Sequence, residues 1–193
     1  VSLTTTYGST NGTLTATLRR TADNAALANM TVQFTINGVT ACGVAGKPTC
    51  PKTNAQGVAT LGGQTVPPRN AGTYNDYTIV ASFAGDANHI GSTGQGRLVI
   101  NRAILTVKPK NQSTKLNAPN PTSCELELSP GSQFANGETW SALNLTNLRC
   151  QYARNPPSTN ATEYVGKTYR ITAFGVTSTN YDIRYDPGTM TVK

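Results

Sequence analysis

The chain has 193 residues, of which 37% are hydrophobic and only 13% charged, and its formal net charge is +7. This length is comfortable for two domains of about 100 residues, and the hydrophobic share supports folded cores rather than disorder. No stretch approaches the roughly 18 continuous apolar residues of a membrane helix, so we expect a chain that is not membrane-embedded. The cations are scattered rather than gathered in a basic stripe with stacking aromatic residues, which argues against nucleic-acid binding.

Apolar and polar residues alternate through the first half of the chain. In 31-TVQFTI-36, Val32, Phe34 and Ile36 fall on one face, which is the pattern of a half-buried strand. Turn signals separate such segments, with Asn-Gly, Gly-Gly and Pro-Pro pairs at 11–12, 37–38, 62–63 and 67–68. The strands predicted for this half are 13–19, 31–36, 57–61, 77–83 and 97–101.

The second half continues the alternation and predicts strands over 104–109, 124–128, 143–152, 168–174, 181–185 and 189–193. Tyr181, Ile183 and Tyr185 fall on one face, where a tyrosine buries its ring and hydrogen-bonds through its hydroxyl. The best helical candidate, 134–145, has an internal Asn-Gly pair and no sustained helical spacing, so we expect at most one turn near Glu138–Ala142. Short strands at this spacing predict an all-β fold of the sandwich class.

The four cysteines, Cys42, Cys50, Cys124 and Cys150, predict disulfide bonds rather than a metal site. They form no CxxC pair, and His89 is the only histidine that could join them in binding zinc. Four cysteines allow three pairings, and pairing within each half is the simplest if the halves are separate domains. A loop-entropy model then gives roughly 2.5 and 3.5 kcal/mol of stabilisation for the shorter and the longer loop. Disulfides indicate an oxidising, extracytoplasmic compartment.

The two halves resemble each other near their ends. The first closes with 72-GTYNDYTIVASFAGDANHIGS-92 and 97-RLVIN-101, and the second with 166-GKTYRITAFGVTSTNYDIRY-185 and 189-TMTVK-193. Each closing region has a Gly-to-Tyr opening, an alternating strand, a polar loop and a final hydrophobic strand. A repeat on this scale predicts a tandem array of two domains, 1–101 and 102–193.

These closing regions are similar to bacterial immunoglobulin-like repeats of secreted and cell-surface proteins. In the first half, 72-GTY-74 and 79-IVASFAGDANHIGS-92 resemble the ending GTY…V-A-x-F-x-G-D-x-x-Y…S, with His89 where an aromatic residue is usual. In the second half, 166-GKTYRITAFG-175 and 180-NYDIRYDPGTMTVK-193 resemble the MBG-type module, which ends in NY-x-I-x-Y-x-x-G-T-L-T-V. Residues 111–163 depart from the usual form of that module, notably in Cys124 and Cys150.

The resemblance implies two tandem immunoglobulin-like β-sandwich domains, an immunoglobulin-like domain at 1–101 and an MBG-like domain at 102–193. It implies a structural or adhesion protein of the bacterial exterior, secreted or on the cell surface, and not an enzyme. It carries over no catalytic or ligand residue, because the matched positions are structural.

Few residues are candidates for catalysis or metal binding. His89, Asp86 and Ser92 share one polar loop, which does not place a base between a nucleophile and an orienting acid. Glu125 and Glu127 alternate onto one strand face and are expected to point to solvent rather than across a cleft. Calcium needs clustered carboxylates, and the boundary segment 101–110 contains none. We therefore predict no catalytic residue, no metal site and no cofactor.

Trp140 is the only tryptophan and the single candidate for a ligand contact. Its indole could stack on a sugar ring, or it could pack beneath the loop that the second disulfide closes. Asn-x-Ser/Thr triplets arise by chance in a chain this rich in Asn and Thr, so they give only weak support for glycosylation at Asn11, Asn29, Asn111, Asn144 and Asn160.

Three functions fit these observations. The first is a stalk or spacer whose partners are neighbouring immunoglobulin-like domains or copies of itself. The second is a subunit of a self-assembling extracellular filament or sheath, in which strand 1–7 or strand 189–193 adds to a neighbour's sheet. The third is a carbohydrate-binding module that recognises a surface glycan or a host or cell-envelope polymer through Trp140 and exposed tyrosines.

The last predicted strand, 189-TMTVK-193, echoes 104-ILTVK-108, which opens the second half. We therefore expect 189–193 to be a closing strand that pairs within its own sandwich. The chain begins at Val1 rather than Met and carries no leader segment, so we expect a mature, processed protein or a piece of a longer one.

Overall fold

The computed structural model describes residues 1–154 and 164–193 of the chain. The chain divides into two compact units, Val1–Arg102 and Ala103–Lys193. The boundary between them lies one residue beyond the predicted boundary between 101 and 102. The regular elements of the described residues are strands and two 3-10 turns. The all-β prediction, with a β-sandwich in each half, is confirmed by the sheets described below.

The first unit is built on one continuous hydrogen-bonded sheet. Its strands are β1 (Ser2–Thr6), β2 (Asn11–Thr17), β3 (Gln33–Ile36), β4 (Val39–Thr40), β5 (Val58–Thr65), β6 (Gly72–Gly85) and β7 (Ile90–Asn101). They are ordered β4-β3-β6-β7-β1-β2-β5. β1 and β7 pair in parallel, and every other pair in this sheet is antiparallel.

The long hairpin β6–β7 lets this sheet enclose a core. The part of β6 that pairs with β3 is 79–82, whereas the part of β7 that pairs with β1 is 97–101. Between these two regions the pairing of β6 with β7 shifts register, and such irregularities bend and twist a strand. Apolar side chains from both ends of the sheet therefore meet in one cluster, whose fully buried members include Leu3, Leu14, Phe34, Ile79 and Leu98.

The second unit has two separate sheets. Its strands are β8 (Ala103–Pro109), β9 (Gln112–Thr114), β10 (Leu126–Leu128), β11 (Arg149–Tyr152), β12 (Thr168–Phe174), β13 (Tyr181–Tyr185) and β14 (Gly188–Val192). One sheet is ordered β10-β8-β13 and the other β11-β12-β14-β9. Between them the buried side chains include Leu105, Val107, Ile171, Met190 and Val192.

Both terminal strands lie inside a sheet. β1 is flanked by β7 and β2, and β14 is flanked by β12 and β9. Three successive residues of β14, from Met190 to Val192, pair with β9 on one side, while its residues 188–191 pair with β12 on the other. The prediction of a closing strand paired within its own sandwich is confirmed.

Several predicted strand limits are wrong. β6 and β7 span Gly72–Gly85 and Ile90–Asn101, far beyond the predicted 77–83 and 97–101. The first part of β7 reads 90-IGSTGQG-96, which has no apolar alternation because its residues are paired with β6 without being buried. The strand predicted over 143–152 is confined to Arg149–Tyr152.

Turn and helix signals are confirmed only in part. Asn37 and Gly38, with φ of 47° and 79°, form the tight turn between β3 and β4 that an Asn-Gly pair predicts. Asn11 and Gly12 instead begin β2, and a Cβ at Gly12 would lie 2.7 Å from both Leu3 and Val66, so close packing requires this glycine. The 3-10 turn Trp140–Ala142 overlaps the predicted turn near Glu138–Ala142, while a second one, Ala135–Gly137, precedes it.

Candidate functional site

The four cysteines form two disulfides, one in each unit. Cys42 bonds to Cys50 across a short loop that follows β4, with the Cα atoms 4.9 Å apart. Cys124 precedes β10 and bonds to Cys150 in β11, with the Cα atoms 5.4 Å apart. β10 and β11 belong to different sheets, so the second bridge joins the edge of one sheet to the edge of the other. Cys42 is fully buried in the core of the first unit.

Trp140 is held by an aromatic cluster that the segment 134–142 shares with β13. Its ring meets Phe134 edge to face, with the centroids 5.5 Å apart, and Phe134 meets Tyr181 in the same manner at 5.8 Å. The buried hydroxyl of Tyr181 accepts a hydrogen bond from the Ala135 backbone N–H at 2.8 Å and donates one to Glu138. These contacts position an otherwise irregular segment, because edge-to-face pairs and a satisfied buried hydroxyl each favour one geometry.

A depression of about 300 Å³ lies beside Trp140 in the second unit. It is lined by Lys110, Cys124, Glu125, Leu126, Trp140, Leu145 and Leu148. The structure therefore places the half-buried indole next to the second disulfide, where one side of the ring packs and part of it stays accessible. Five of the seven lining residues are apolar, and the other two, Lys110 and Glu125, form an ion pair.

The charged pair at this depression belongs to a short ladder of ion pairs. Lys110 Nζ lies 2.9 Å from Glu125 Oε2, and the Glu125 carboxylate raises the pKa of the Lys110 ammonium. Next to it, Lys108 Nζ lies 3.1 Å from Glu127 Oε1. Each of the two carboxylates predicted to point to solvent thus has a lysine of its own, rather than facing the other acid across a cleft as a glycosidase pair would.

The loop of the only histidine brings two of its three polar residues together. His89 Nδ1 lies 2.9 Å from Asp86 Oδ1. The pKa of the Asp86 carboxyl is lowered mainly by the hydrogen bond from the Asn88 backbone N–H and next by the hydrogen bond with the His89 side chain. Ser92 lies opposite Phe83 in the pairing of β6 with β7. An acid and a histidine adjacent in one exposed turn stabilise that turn through hydrogen bonds.

A wider groove of about 690 Å³ lies in the first unit, beside the short disulfide loop. Met30, Phe83 and Cys50 contribute apolar surface, and Lys52 and Asp86 contribute opposite charges. Within residues 1–154 and 164–193, no group of three or more His, Cys, Asp or Glu side chains is placed to hold a metal ion. No helix in that part of the chain is long and apolar enough to cross a membrane.

One structural residue gave no sequence signal. Arg154 follows β11 and is only 2% exposed. Its guanidinium donates to the carbonyl oxygen of Ala118 at 2.6 Å, and the amide of Asn120 donates to the Arg154 carbonyl at 3.0 Å. The sequence predicts that an arginine within a polar run lies on the surface. Only the fold shows that Arg154 connects 118–120 to the end of β11 through hydrogen bonds. The sequon at Asn160 lies outside the described residues.

Residues 105–191 match the family model described as MBG domain (YGX type). This match spans nearly all of the second unit and less than half of the chain. The second unit is an MBG-type domain. It carries the sequence features that predicted this assignment, including the paired β13 and β14 that contain 180-NYDIRYDPGTMTVK-193.

The comparison with curated proteins found no match. A solved structure described as the D0-D1 domain of intimin is similar at a TM-score of 0.32 and 15% identity, over 98% of this chain and 96% of that one. The fold assignment rests on the strand order and register of the two units, and the MBG assignment rests on the family model.

Proposed function

We propose that the chain is a structural module of a secreted or surface protein, and that it acts as a stalk or spacer that stays folded under tension. The observation that carries this proposal is the parallel pairing of the strands nearest the ends of each unit. Two disulfides, one in each unit, support an oxidising extracellular location. The MBG assignment of the second unit agrees with a non-enzymatic role.

In the first unit, the first and last strands are neighbours. β1 runs parallel to β7 with five partners, from Ser2 opposite Arg97 to Thr6 opposite Asn101. Tension on the two ends of this unit pulls β1 from its amino end and β7 from its carboxyl end. Because the strands are parallel, these points lie at opposite ends of the pair, so the force acts along the strands and strains all their hydrogen bonds together. An antiparallel pair would be pulled at one end and would open bond by bond.

In the MBG-type unit the first and last strands lie in different sheets, and each runs parallel to another strand of the unit. Its last strand, β14, runs parallel to β9 with three partners, from Met190 opposite Gln112 to Val192 opposite Thr114. Its first strand, β8, runs parallel to β13 with five partners. We expect the second unit to unfold at a lower force than the first, because fewer pairs hold its last strand to a parallel neighbour.

Force spectroscopy of the full chain between inert handle domains tests this proposal. The carbonyl of Asn101 accepts a hydrogen bond from the Tyr7 N–H at 2.8 Å, so odd-numbered residues of β7 direct their backbone groups to the side of β1. Val99→Pro therefore removes a hydrogen bond between β7 and β1, and it should lower the unfolding force of the first unit. Gln95→Pro is the matched control, because the Gln95 N–H points to the same side beyond the start of β1.

Two outcomes would overturn the mechanical proposal. One is extension of the wild-type chain without a resolved unfolding peak for each unit. The other is an equal effect of Val99→Pro and Gln95→Pro on the first-unit peak, measured on variants whose circular dichroism shows a folded chain.

The filament function is less well supported in its terminal-strand form. β1 and β14 each lie between two paired neighbours, so either would have to leave both of them before adding to another sheet. Carbohydrate binding is a second candidate, which the Trp140 depression favours. A glycan-array screen of the wild type and Trp140→Ala tests it, with Phe174→Ala, an aromatic residue exposed elsewhere, as the control. Absence of any bound glycan would remove this candidate.

A further inference from the structure

One edge of the first unit's sheet carries unpaired backbone groups. β7 pairs with β6 along its whole length, but it pairs with β1 only from Arg97 onward. Among the described residues, no strand covers the other side of 90–96. This stretch is therefore a strand with a hydrogen-bonded neighbour on one side only.

Two independent hydrogen bonds define which residues face this open side. The bond from the Tyr7 N–H to the Asn101 carbonyl directs odd-numbered residues of β7 toward the side of β1. On the side of β6 that faces β3, the Asn37 N–H donates to the Thr78 carbonyl at 2.8 Å. The backbone groups of the even-numbered residues of β6 therefore point to β3, and those of its odd-numbered residues point to β7.

The partners of those odd-numbered β6 residues in β7 are Ser92, Gly94 and Gly96, so these three bond to β6. Both arguments leave the backbone N–H and C=O groups of Gly91, Thr93 and Gln95 on the open side. Unpaired groups of this kind form a template for another strand.

The sequence does not protect this edge as it protects the others. Natural sheets guard open edges with charges, bulges or very short strands. β4 has two residues and β9 three, β10 lies in the ladder of Lys–Glu pairs, β11 contains Arg149, and β13 contains Asp182 and Arg184. β5 is interrupted by a register shift, and its Val58 carbonyl already accepts from Asn54. The stretch 90-IGSTGQG-96 has no charge, no proline and three glycines, and its Ile90 side chain is 95% exposed.

An apolar cleft opens beside this edge. Its volume is about 110 Å³, and its lining includes the apolar residues Val1, Ala16, Val32, Ala81 and Phe83 together with 92–94 of β7. The small residues of β7 leave the cleft uncovered where β1 begins. A strand added at this edge would cover apolar surface as well as satisfy backbone groups.

We propose that the edge 90–96 pairs antiparallel with the same edge of a second copy of the chain, with Thr93 on the two-fold axis. In this register Gly91 of one copy faces Gln95 of the other, and the two Thr93 residues face each other. All three outward-facing residues then exchange both backbone hydrogen bonds with a partner. The edge is thus complementary to itself, as a two-fold interface requires.

The ends of the pairing are defined by the start of β1. Val1 lies against Gly96, where a Cβ would come 2.1 Å from the Val1 carbonyl oxygen, so β1 limits the added strand at that point. The register brings Ile90 of one copy to Gly96 of the other and therefore next to its Val1. Both side chains are exposed apolar groups in the single chain. The contact is small, so we expect the two copies to associate weakly in solution. Association is stronger where copies are held close together on one surface, because their effective concentration is higher there.

Cysteine cross-linking tests the register. Thr93→Cys places two thiols on facing residues with Cα atoms about 5.5 Å apart, within the range of a disulfide. Gln95→Cys is the matched control, because four residues of strand separate its two copies by roughly 13 Å. The native cysteines are all in disulfides, so the new thiol is the only free one. Under mild oxidation we expect a covalent dimer of Thr93→Cys on a non-reducing gel and a monomer of Gln95→Cys.

Sedimentation of the full chain over a wide concentration range provides a second measurement. We expect concentration-dependent dimerisation that Thr93→Lys abolishes, because two like charges would meet on the axis. Thr60→Lys, on the exposed face of β5, should leave dimerisation unchanged. Several outcomes would overturn the proposal: a monomer at all concentrations, equal cross-linking of both cysteine variants, or a loss with Thr60→Lys, which would indicate pairing with β5 instead.

Discussion

Reduction of the Cys124–Cys150 disulfide should lengthen the unfolded MBG-type unit and lower its free energy of unfolding. The bridge joins residues separated by 26 positions in the sequence. At roughly 3.5 Å per residue, opening this loop adds about 90 Å to the extended chain. Opening the loop also gives the unfolded chain more conformational entropy, which lowers the free energy of unfolding by roughly 3.5 kcal/mol on the loop-entropy model.

The Cys42–Cys50 disulfide provides an internal comparison, because it closes a loop of only 8 positions. Its reduction should add about 28 Å of extension and cost roughly 2.5 kcal/mol. Reduction is the better perturbation for this comparison, since Cys42 is fully buried and its replacement by alanine would also remove packed volume from the core.

Two assays separate the lengths from the energies. Force-extension curves of the full chain, with and without a phosphine reductant, measure the added length of each unit directly. Denaturant unfolding followed by tryptophan fluorescence measures the free energy of the second unit alone, because Trp140 is the only tryptophan. An added length well below about 90 Å, or a loss below about 1 kcal/mol, would refute the loop argument.

Further predictions concern single side chains. Tyr181→Phe should cost about 1–3 kcal/mol of the free energy of unfolding, because it removes the two hydrogen bonds that the Tyr181 hydroxyl makes with Ala135 and Glu138; an unchanged denaturation midpoint would contradict this. Gly57→Ala should lower the free energy of unfolding clearly more than Gly46→Ala. The two glycines have nearly the same φ, 76° and 77°, but only at Gly57 would an added Cβ clash, because it would lie 2.4 Å from the Leu18 carbonyl oxygen. Gly46→Ala should cost about 1 kcal/mol in thermal unfolding, and equal losses at both sites would count against the clash. The Arg20 guanidinium lowers the pKa of Asp23 to about 2 from 3.8, so this pair stabilises the fold above pH 3.8 and ceases to do so as the pH falls through 2. A carbon-detected NMR titration should show the low midpoint, and Arg20→Ala should raise it; a wild-type midpoint near 3.8 would rule the pair out.

The sequence by itself determined the features that depend on near neighbours. Alternation in 31–36 and 181–185 predicted strands with one buried face, and Asn37-Gly38 predicted a hairpin turn. The closing strand 189–193 was predicted from its likeness to 104–108. Each of these signals is local, because side-chain period and turn chemistry act over a few consecutive residues.

Only the tertiary structure decided the features that join distant parts of the chain. The stretch 90–96 is a strand because β6 pairs with it, although its own residues carry no apolar period. Gly12 is required by the approach of Leu3 and Val66, and Arg154 is buried by its contacts with Ala118 and Asn120. The parallel pairing of β1 with β7, and the open edge of β7, likewise depend on register between segments far apart in sequence. Local patterns do not encode that register, because it is set by which backbone groups and side chains the whole fold brings together.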